Sequence, residues 1–285
     1  MIPKIIHQIW LQGENQIPQN LLLFQNKIKE LHSDWKYICW DETKIIHLLE
    51  NTNKNWLDIY NQFDYLHQKV DYSKLIILYI YGGVFIDMDA YTIQKLDSLI
   101  DKVNSYDFVA SYIKKFNFII NYILFQKFDN GLNNGNFLAK PNSNILLYLI
   151  NHISTKCSPF DNKISCISKT TGPIFFNTNI NNYLNDNTIQ NKSKILLLEN
   201  EYLEPCVYNI CDVTPNTYIK HEHSGSWYNE YLKYIIIFYL KNTTFTIIII
   251  LLLIFLIIYL IYNHFSKKIK NSFYSIFKGV NHIQI

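Results

Sequence analysis

Short apolar runs alternate with amphipathic stretches along most of the chain. Residues 1–10 have the pattern of a buried strand opened by Pro3, and residues 35–40 have that of a second strand. Between them, the apolar positions from Pro18 to Leu31 recur at helical spacing. Strands that alternate with helices in this way predict an α/β domain.

The clearest predicted helix covers residues 71–81. Asp71 is expected at its N-cap or in its first turn, and the pair Gly82–Gly83 is expected to end it. The apolar strand Val84–Ile86 follows at once and is expected to end in an Asp-x-Asp sequence. A helix, a glycine pair, a strand and an acidic pair follow one another in this order. The order predicts two carboxylates at the C-terminal end of a buried strand.

Weaker patterns cover the rest of the domain. Residues Ile145–Ile153 predict a helix, while Lys194–Leu198 and Tyr218–His221 predict strands. Two Asn-rich stretches, Asp129–Asn136 and Asn177–Lys194, predict surface loops.

A long apolar segment lies near the C-terminus. The 19 residues from Thr244 to Tyr262 carry no charge and consist mainly of Ile and Leu. At about 1.5 Å per helical residue, this length matches the hydrocarbon core of a bilayer. We predict a single membrane-spanning helix; a buried core helix is the alternative, although the segment has no polar face. No signal peptide is expected, because residues 1–10 already form part of the domain.

This segment divides the chain into predicted regions. Residues 1–230 form the domain, 231–243 a juxtamembrane segment, 244–262 the membrane helix and 263–285 a basic tail. The tail carries Lys267, Lys268 and Lys270, which the positive-inside rule places on the cytosolic side. Lys233 and Lys241 precede the helix, so this charge bias is small.

Composition narrows the function classes. The 285 residues are 49% hydrophobic and 17% charged, enough for one large α/β domain with appendages. The chain contains no Arg, its net charge is +3 and its Lys residues are scattered, so a nucleic-acid partner is not expected. None of the five cysteines lies in a CxxC pair, which argues against a structural zinc site. The pairs Cys157/Cys166 and Cys206/Cys211 are expected either as disulfides or as buried thiols.

Asp87 and Asp89 are the candidate metal ligands. On a regular strand, residues two apart point to the same face, so both carboxylates would open into one crevice. Oxygen ligands of this kind suit Mn²⁺ or Mg²⁺, which take their remaining ligands from water or a diphosphate. An isolated Asp-x-Asp is also common at solvated loop ends, so the preceding strand and helix carry the prediction.

Five segments occur in a recognisable order: Ile2–Trp10, Trp40–Asp41, Asp71–Asp89, Thr170–Pro173 and His221–Trp227. Together they resemble the glycosyltransferases of family 32, which have a DxD sugar-binding region and include fungal mannosyltransferases. The resemblance covers residues 2–227 and implies a GT-A-like nucleotide-sugar-binding domain, with the membrane helix following it.

The resemblance also implies roles for residues at the donor. Trp10 would stack on the nucleobase, Asp71 would contact ribose or sugar hydroxyls, and Trp227 would cover the donor. Asn134 or Asn136 is expected to meet the sugar.

The charged residues would act on the diphosphate. Asp87 and Asp89 match the metal-binding pair, and His221 is expected to complete the metal or diphosphate site. Lys74 stands where the family usually has Arg, so it supplies the positive charge without the bidentate fork. Phe85 stands where the family often has Tyr, so a hydroxyl contact is missing.

These features predict a membrane-anchored hexosyltransferase. It would use a UDP- or GDP-linked sugar with Mn²⁺ or Mg²⁺, act on a glycan or lipid acceptor, and retain the anomeric configuration. The expected location is a Golgi, endoplasmic reticulum or host membrane. Two alternatives stay open: a non-catalytic membrane-tethered relative, motivated by Lys74 and Phe85, and a Mg²⁺-dependent phosphatase whose strand also ends in Asp-x-Asp.

Overall fold

The computed structural model describes residues 1–113, 131–207, 210–223 and 241–280, together with residues 231, 234, 237 and 238. Contacts divide the chain into two compact units, Met1–Ser224 and Gly225–Ile285. The finer boundaries at residues 230, 243 and 262 stay predictions.

The first unit alternates strands and helices. Its described strands are β1 (Ile5–Ile9), β2 (Lys36–Trp40), β3 (Gly83–Ile86), β4 (Ala90–Thr92), β5 (Phe108–Tyr112), β6 (Leu132–Ala139), β7 (Ile195–Leu198), β8 (Cys206–Val207), β9 (Ile210–Cys211) and β10 (Ile219–His221). Its described helices are α1 (Gln19–Leu31), α2 (Glu42–Thr52), α3 (Lys54–Tyr60), α4 (Leu66–Tyr81), α5 (Asp97–Val103), α6 (Asn144–Asn151), α7 (Lys163–Thr170), α8 (Pro173–Asn185) and α9 (Asn200–Leu203).

Six of these strands form one mixed sheet in the order β2-β1-β3-β6-β5-β7. β1 runs parallel to both β2 and β3, and β5 runs parallel to β7. β6 lies between β3 and β5 and is antiparallel to both. A separate antiparallel pair joins β4 to β10, and a second joins β8 to β9. The α/β class predicted from the sequence is confirmed.

Both faces of the sheet are buried, and alternate residues of one strand enter different cores. Phe85 of β3 lies in the larger core, whereas its neighbours Val84 and Ile86 lie in the core on the other face. β6 follows the same rule, with Phe137 in the larger core and Leu138 in the smaller one. Burial on both faces explains why β3 is a continuous apolar run.

The turn between α4 and β3 requires its two glycines. Gly82 has φ 62° and Gly83 has φ 103°, both in the region that favours glycine. A Cβ on Gly83 would lie 2.5 Å from the carbonyl oxygen of Ile5, so a side chain there would separate β3 from β1. The predicted glycine stop is therefore confirmed, and it sets where β3 begins.

Three predictions about local structure were wrong. Helix α4 begins at Leu66, where Gln68 Oε1 accepts from the Tyr65 amide at 3.2 Å, so Asp71 lies inside the helix and not at its N-cap. Residues 132–136 of the first predicted loop belong to strand β6, and residues 177–185 of the second belong to α8. The Asn-rich composition of both segments predicted loops, but the first contains part of a buried strand and the second a helix packed on the larger core.

Two cysteine pairs close short segments. Cys157 pairs with Cys166, and Cys206 pairs with Cys211 across β8 and β9. Cys39 is a buried free cysteine. Both sequence-derived pairings are present as disulfides.

The second unit contains one long helix, α10 (Thr243–Val280). Its segment Thr244–Ile269 is 26 residues long, has a mean hydropathy of 3.2 and is 0% buried. This segment is long and apolar enough to cross a membrane, and the absence of burial within it speaks against a soluble core helix. Most of residues 231–240 lie outside the described residues.

Candidate active site

Asp87 and Asp89 lie in the turn that connects β3 to β4. The amide of Ala90 donates to the carbonyl of Asp87 at 3.0 Å, which closes this turn, and Met88 is buried between the two acids. Strand geometry had predicted that the two carboxylates share one face. They do converge, but through a turn that follows the strand.

His221 reaches the same place from β10. It pairs in register with Ala90, and the amide of Glu222 donates to the carbonyl of Asp89 at 2.9 Å. This pairing brings His221 Nε2 to 3.0 Å from Asp89 Oδ1. Single ligand atoms of Asp87, Asp89 and His221 lie within 4.8 Å of one another, so the three side chains could hold one metal ion.

Helix α4 supplies a buried ion pair beside the acidic turn. Lys74 Nζ lies 2.7 Å from Asp71 Oδ1 and 3.7 Å from Asp87 Oδ1. Asp71 also accepts from Asn134 Nδ2 and from Thr171 Oγ1, each at 3.1 Å. Burial disfavours the charge on Lys74, but Asp71 and then Asp87 outweigh it and raise the pKa of the ammonium. Lys74 is thus a permanent cation that lies between Asp71 and Asp87.

The acids outnumber this cation. The Asp87 side chain keeps 28% of its surface exposed, yet desolvation raises its pKa to about 6, and the nearby charges of Asp89 and Asp71 act in the same direction. Lys74 and His221 only partly oppose that rise. An excess of oxygen ligands with unbalanced negative charge fits a hard divalent cation such as Mn²⁺ or Mg²⁺.

Gly135 on β6 forms the floor of this site. A Cβ there would lie 2.5 Å from Asp87 Oδ2 and 3.0 Å from His221 Cε1. The carbonyl of Gly135 also accepts from the Asp87 amide at 3.0 Å. The sheet can therefore approach the acidic turn this closely only where β6 has no side chain. No pattern in the sequence indicates this role for Gly135.

The predicted donor-binding residues are distributed around the cluster. Trp10 follows β1 and packs with Met88 in a small apolar cluster. The side chain of Asn134 contacts Asp71. The Asn136 side chain instead contacts Glu204, with 3.3 Å between Nδ2 and Oε2. Trp227 lies outside the described residues.

Phe85 occupies a position without any polar function. It is 1% exposed and packs in the larger core, and its ring centroid lies 5.3 Å from Lys74 Nζ. The face of the Phe85 ring thus makes a cation–π contact with the Lys74 ammonium. The Thr-Gly element contributes through Thr171, which contacts Asp71, and through Gly172, which is the N-cap of α8.

Glu204 is the other functional candidate that sequence reasoning missed. It is fully buried and accepts from the ring of His221, with 3.1 Å between Oε2 and Nδ1. Burial alone would raise its pKa, but His223 and His221 lower it to about 2. Burial disfavours a charged His221, yet Glu204 and then Asp89 raise its pKa well above the ordinary value. Glu204 stands between Leu203 and Pro205, outside any recognisable motif, so no signal in the sequence indicates this role.

Comparisons with known proteins place this site in a family. The family described as glycosyltransferase sugar-binding region containing DXD motif matches residues 18–106. An uncharacterized glycosyltransferase of Acanthamoeba polyphaga mimivirus is 31% identical over 232 residues, which cover 80% of this chain and 84% of that protein. Inositol phosphoceramide mannosyltransferase 1 of Schizosaccharomyces pombe is 26% identical over 239 residues, which cover 82% of this chain and 65% of that enzyme.

The solved structure of the PaToxG glycosyltransferase is also similar, with a TM-score of 0.45, 13% identity and coverage of 64% of this chain and 69% of that one. The mimivirus relative spans most of both chains, and the family match contains the Asp-x-Asp turn together with Asp71 and Lys74. The mixed α/β sheet agrees with the GT-A-like fold expected for such a domain. The chain belongs to the glycosyltransferase family that carries the DXD sugar-binding region.

Proposed function

We propose that this glycosyltransferase moves a hexose from a UDP- or GDP-linked donor to a glycan or lipid acceptor, in a reaction that depends on Mn²⁺ or Mg²⁺. The observation that carries the proposal is the convergence of Asp87, Asp89 and His221 within 4.8 Å. Lys74 completes the cluster, since its ammonium lies 3.7 Å from Asp87. A cluster of this kind matches the charge of a nucleoside diphosphate and its cation.

The leaving group determines what the residues must do. Cleavage of the anomeric bond places negative charge on the diphosphate, and a divalent cation held by Asp87, Asp89 and His221 would supply opposite charge there. Lys74 supplies a second, fixed positive charge at the same place. Asp71 and Asn134 hold each other at 3.1 Å and form a polar wall suited to sugar hydroxyls.

The remaining assignments follow the resemblance. We assign Trp10 to stack on the base and Trp227 to cover the donor. Retention of configuration is proposed on the same ground, and no residue is nominated as a catalytic base. The S. pombe relative is by name an inositol phosphoceramide mannosyltransferase, so GDP-mannose and a sphingolipid acceptor are the first pair to test.

Helix α10 is proposed as a single membrane anchor. At about 1.5 Å per residue, the 26 residues of Thr244–Ile269 reach about 39 Å, which spans a bilayer core with some tilt. Both disulfides suit an oxidising lumen, and Lys267 and Lys268 at the end of the span suit the cytosolic side. These two observations favour a lumenal catalytic unit, in a Golgi or endoplasmic reticulum type of membrane or another host membrane.

A donor screen tests the proposed activity. Full-length protein in detergent micelles is incubated with Mn²⁺ and each UDP- or GDP-sugar, and release of the nucleoside diphosphate is measured with and without lipid or glycan acceptors. We expect one donor to be used, EDTA to abolish its use, and Asp89→Ala to lower the rate at least about 100-fold. Asp101→Ala, an exposed acid of α5, is the matched control and should leave the rate unchanged.

Three results would contradict the proposal in different ways. Full activity of Asp89→Ala would disprove the metal site. Release of phosphate from a small phosphoester without any sugar acceptor would favour the phosphatase. Binding of nucleotide without turnover of any donor would favour the non-catalytic relative.

Protease protection of sealed microsomes tests the topology. A lumenal catalytic unit should be protected, whereas a tag after residue 285 should be removed. Digestion of the catalytic unit in intact vesicles would reverse the proposed orientation.

A further inference from the structure

Glu204 is a buried carboxylate that none of the predicted roles uses. Its side chain is 0% exposed, and it follows directly after α9. A buried charge is costly unless partners surround it. Glu204 has three: the ring of His221 at 3.1 Å, Asn136 Nδ2 at 3.3 Å, and the ring of His223.

The His221 ring connects Glu204 to the acidic turn. Its Nδ1 faces Glu204 Oε2 at 3.1 Å, and its Nε2 faces Asp89 Oδ1 at 3.0 Å. When one ring nitrogen donates to a carboxylate, the other is left with its lone pair for a cation. Glu204 and the Asp87–Asp89 pair therefore lie on opposite edges of one imidazole.

We propose that Glu204 is a positioning residue, which accepts the Nδ1–H of His221 and aims its Nε2 into the site formed by Asp87 and Asp89. The inference rests on the proposed metal-dependent function. Asn136 supports this arrangement, because its amide donates to the same Glu204 oxygen. His223 stacks on His221 with 3.9 Å between ring centroids and limits rotation of the ring.

The segment that carries Glu204 is fixed on both sides. Before it, the Tyr202 carbonyl accepts from the Tyr218 amide at 2.8 Å, which ties α9 to the start of β10. After it, the Cys206–Cys211 disulfide closes the β8–β9 pair. A positioning residue requires such a rigid support, since small displacements of the base it holds weaken binding.

The same side chains allow a competing arrangement. Glu204, His221 and His223 each offer a ligand atom within 4.8 Å of the others, so they could hold a second cation of their own. That arrangement and the positioning role differ in stoichiometry. Positioning requires one bound ion, and its affinity should depend on Glu204.

The test uses Mn²⁺ alone with the full-length protein in micelles, and the free ion is followed by electron paramagnetic resonance. Wild type should bind one Mn²⁺, and Glu204→Gln should bind one ion about 10- to 100-fold more weakly. Glu201→Gln, three residues earlier in α9, is the matched control, because Glu201 contacts Thr214 and Asn216 instead of His221. It should bind Mn²⁺ like wild type.

A spectroscopic readout separates positioning from a general loss of structure. In ¹⁵N-histidine spectra of metal-free protein at high pH, Glu204 and Asp89 compete for the ring proton of His221, so wild type should show both tautomers. In Glu204→Gln the proton should shift to Nε2, towards Asp89. Thermal unfolding of both glutamine variants shows whether the fold is intact.

The possible outcomes test the role of Glu204 separately from the proposed metal-dependent function. If wild type binds one Mn²⁺ and Glu204→Gln binds it equally well, the role of Glu204 is wrong and the metal site stands. If wild type binds two ions and the variant one, Glu204 is a ligand and the positioning role is wrong. If wild type binds no Mn²⁺, both the metal-dependent function and the inference are wrong.

Discussion

His7 and His221 are both buried histidines, but their neighbours give them opposite properties. His7 Nδ1 accepts from the Trp40 indole at 3.1 Å, and its Nε2 donates to the Gly82 carbonyl at 2.9 Å. Burial, reinforced by Lys36, lowers its pKa to about 4 despite that carbonyl. His221 lies between Glu204 and Asp89, and its pKa is raised.

The difference shows that burial keeps a histidine neutral unless charged partners outweigh it. Burial holds His7 neutral, and its hydrogen bonds to the Trp40 indole and the Gly82 carbonyl make it a structural link between β1, β2 and the glycine turn. Carboxylates on both sides of His221 favour positive charge there, which a proton supplies and a metal cation could supply in its place.

The largest expected effect comes from His221→Asn. Loss of the imidazole should lower kcat/KM at least about 1000-fold, which corresponds to about 4 kcal/mol of transition-state stabilisation. Initial rates with Mn²⁺ and the preferred donor measure it, with thermal unfolding as the check on folding. His47→Asn, on α2 outside the cluster, should behave like wild type. Near wild-type rates in His221→Asn would show that His221, unlike the prediction, contributes nothing to activity.

The second effect is on stability and concerns His7. Its folded pKa of about 4 lies below the unfolded value of about 6.5, so the unfolded chain binds the extra proton first. Stability should therefore fall as pH decreases from about 6.5 to 4, by about 3 kcal/mol from this group, and level off below.

Urea unfolding of the wild type and of His7→Gln isolates this contribution, since glutamine supplies one donor and one acceptor without titrating. The variant should lack that part of the pH dependence. Parallel curves for the two proteins between pH 7 and pH 4 would show that His7 does not titrate as its contacts require.

A smaller effect is expected from Gly135→Ala. The new Cβ would lie 2.5 Å from Asp87 Oδ2, so the carboxylate must move away from His221. Mn²⁺ affinity should fall about tenfold, or about 1.4 kcal/mol. Gly131→Ala is the control, because its Cβ would meet only the flexible end of Ile113 at 3.2 Å. Equal Mn²⁺ affinities in the two variants would mean that Asp87 can move away from Gly135 without weakening the site.

The smallest effect is expected from Lys74→Arg. Asp71 and Asp87 recognise the charge, and the side chain is only 3% exposed, so the larger guanidinium gains a fork but crowds Phe85. The donor KM should change less than about fivefold, whereas Lys74→Met should lower kcat/KM at least about 100-fold. Michaelis kinetics on both variants decide whether charge or shape matters at this position.

Local signals were sufficient for the parts of the site that lie next to each other in the chain. The apolar run at Val84–Ile86, the glycine pair and the two acids predicted β3, its end and the candidate metal ligands. The family resemblance added His221 to the candidate site. His221 is separated from Asp89 by 132 residues in the sequence, and its Nε2 lies 3.0 Å from Asp89 Oδ1 in the structure.

The parts that failed depend on distant partners. Asn134 and Asn136 read as a loop because asparagine avoids strand interiors. Both are buried in β6 because Asp71 and Glu204 satisfy their amides. Glu204 carries no motif at all, and its role exists only where α9 meets β10. Nothing in a single sequence announces such a contact.

The central position of β6 also has a consequence for how the chain is made. β3 is complete by residue 86, but the strand that covers its open edge begins at residue 132. During synthesis, the nascent β1–β3 ribbon therefore exposes an apolar edge while at least the next 46 residues are added. Because translation proceeds at about 5–20 residues per second, this interval lasts a few seconds. Chaperone binding to the ribosome-bound chain should be strongest in that interval and should end when β6 enters the sheet.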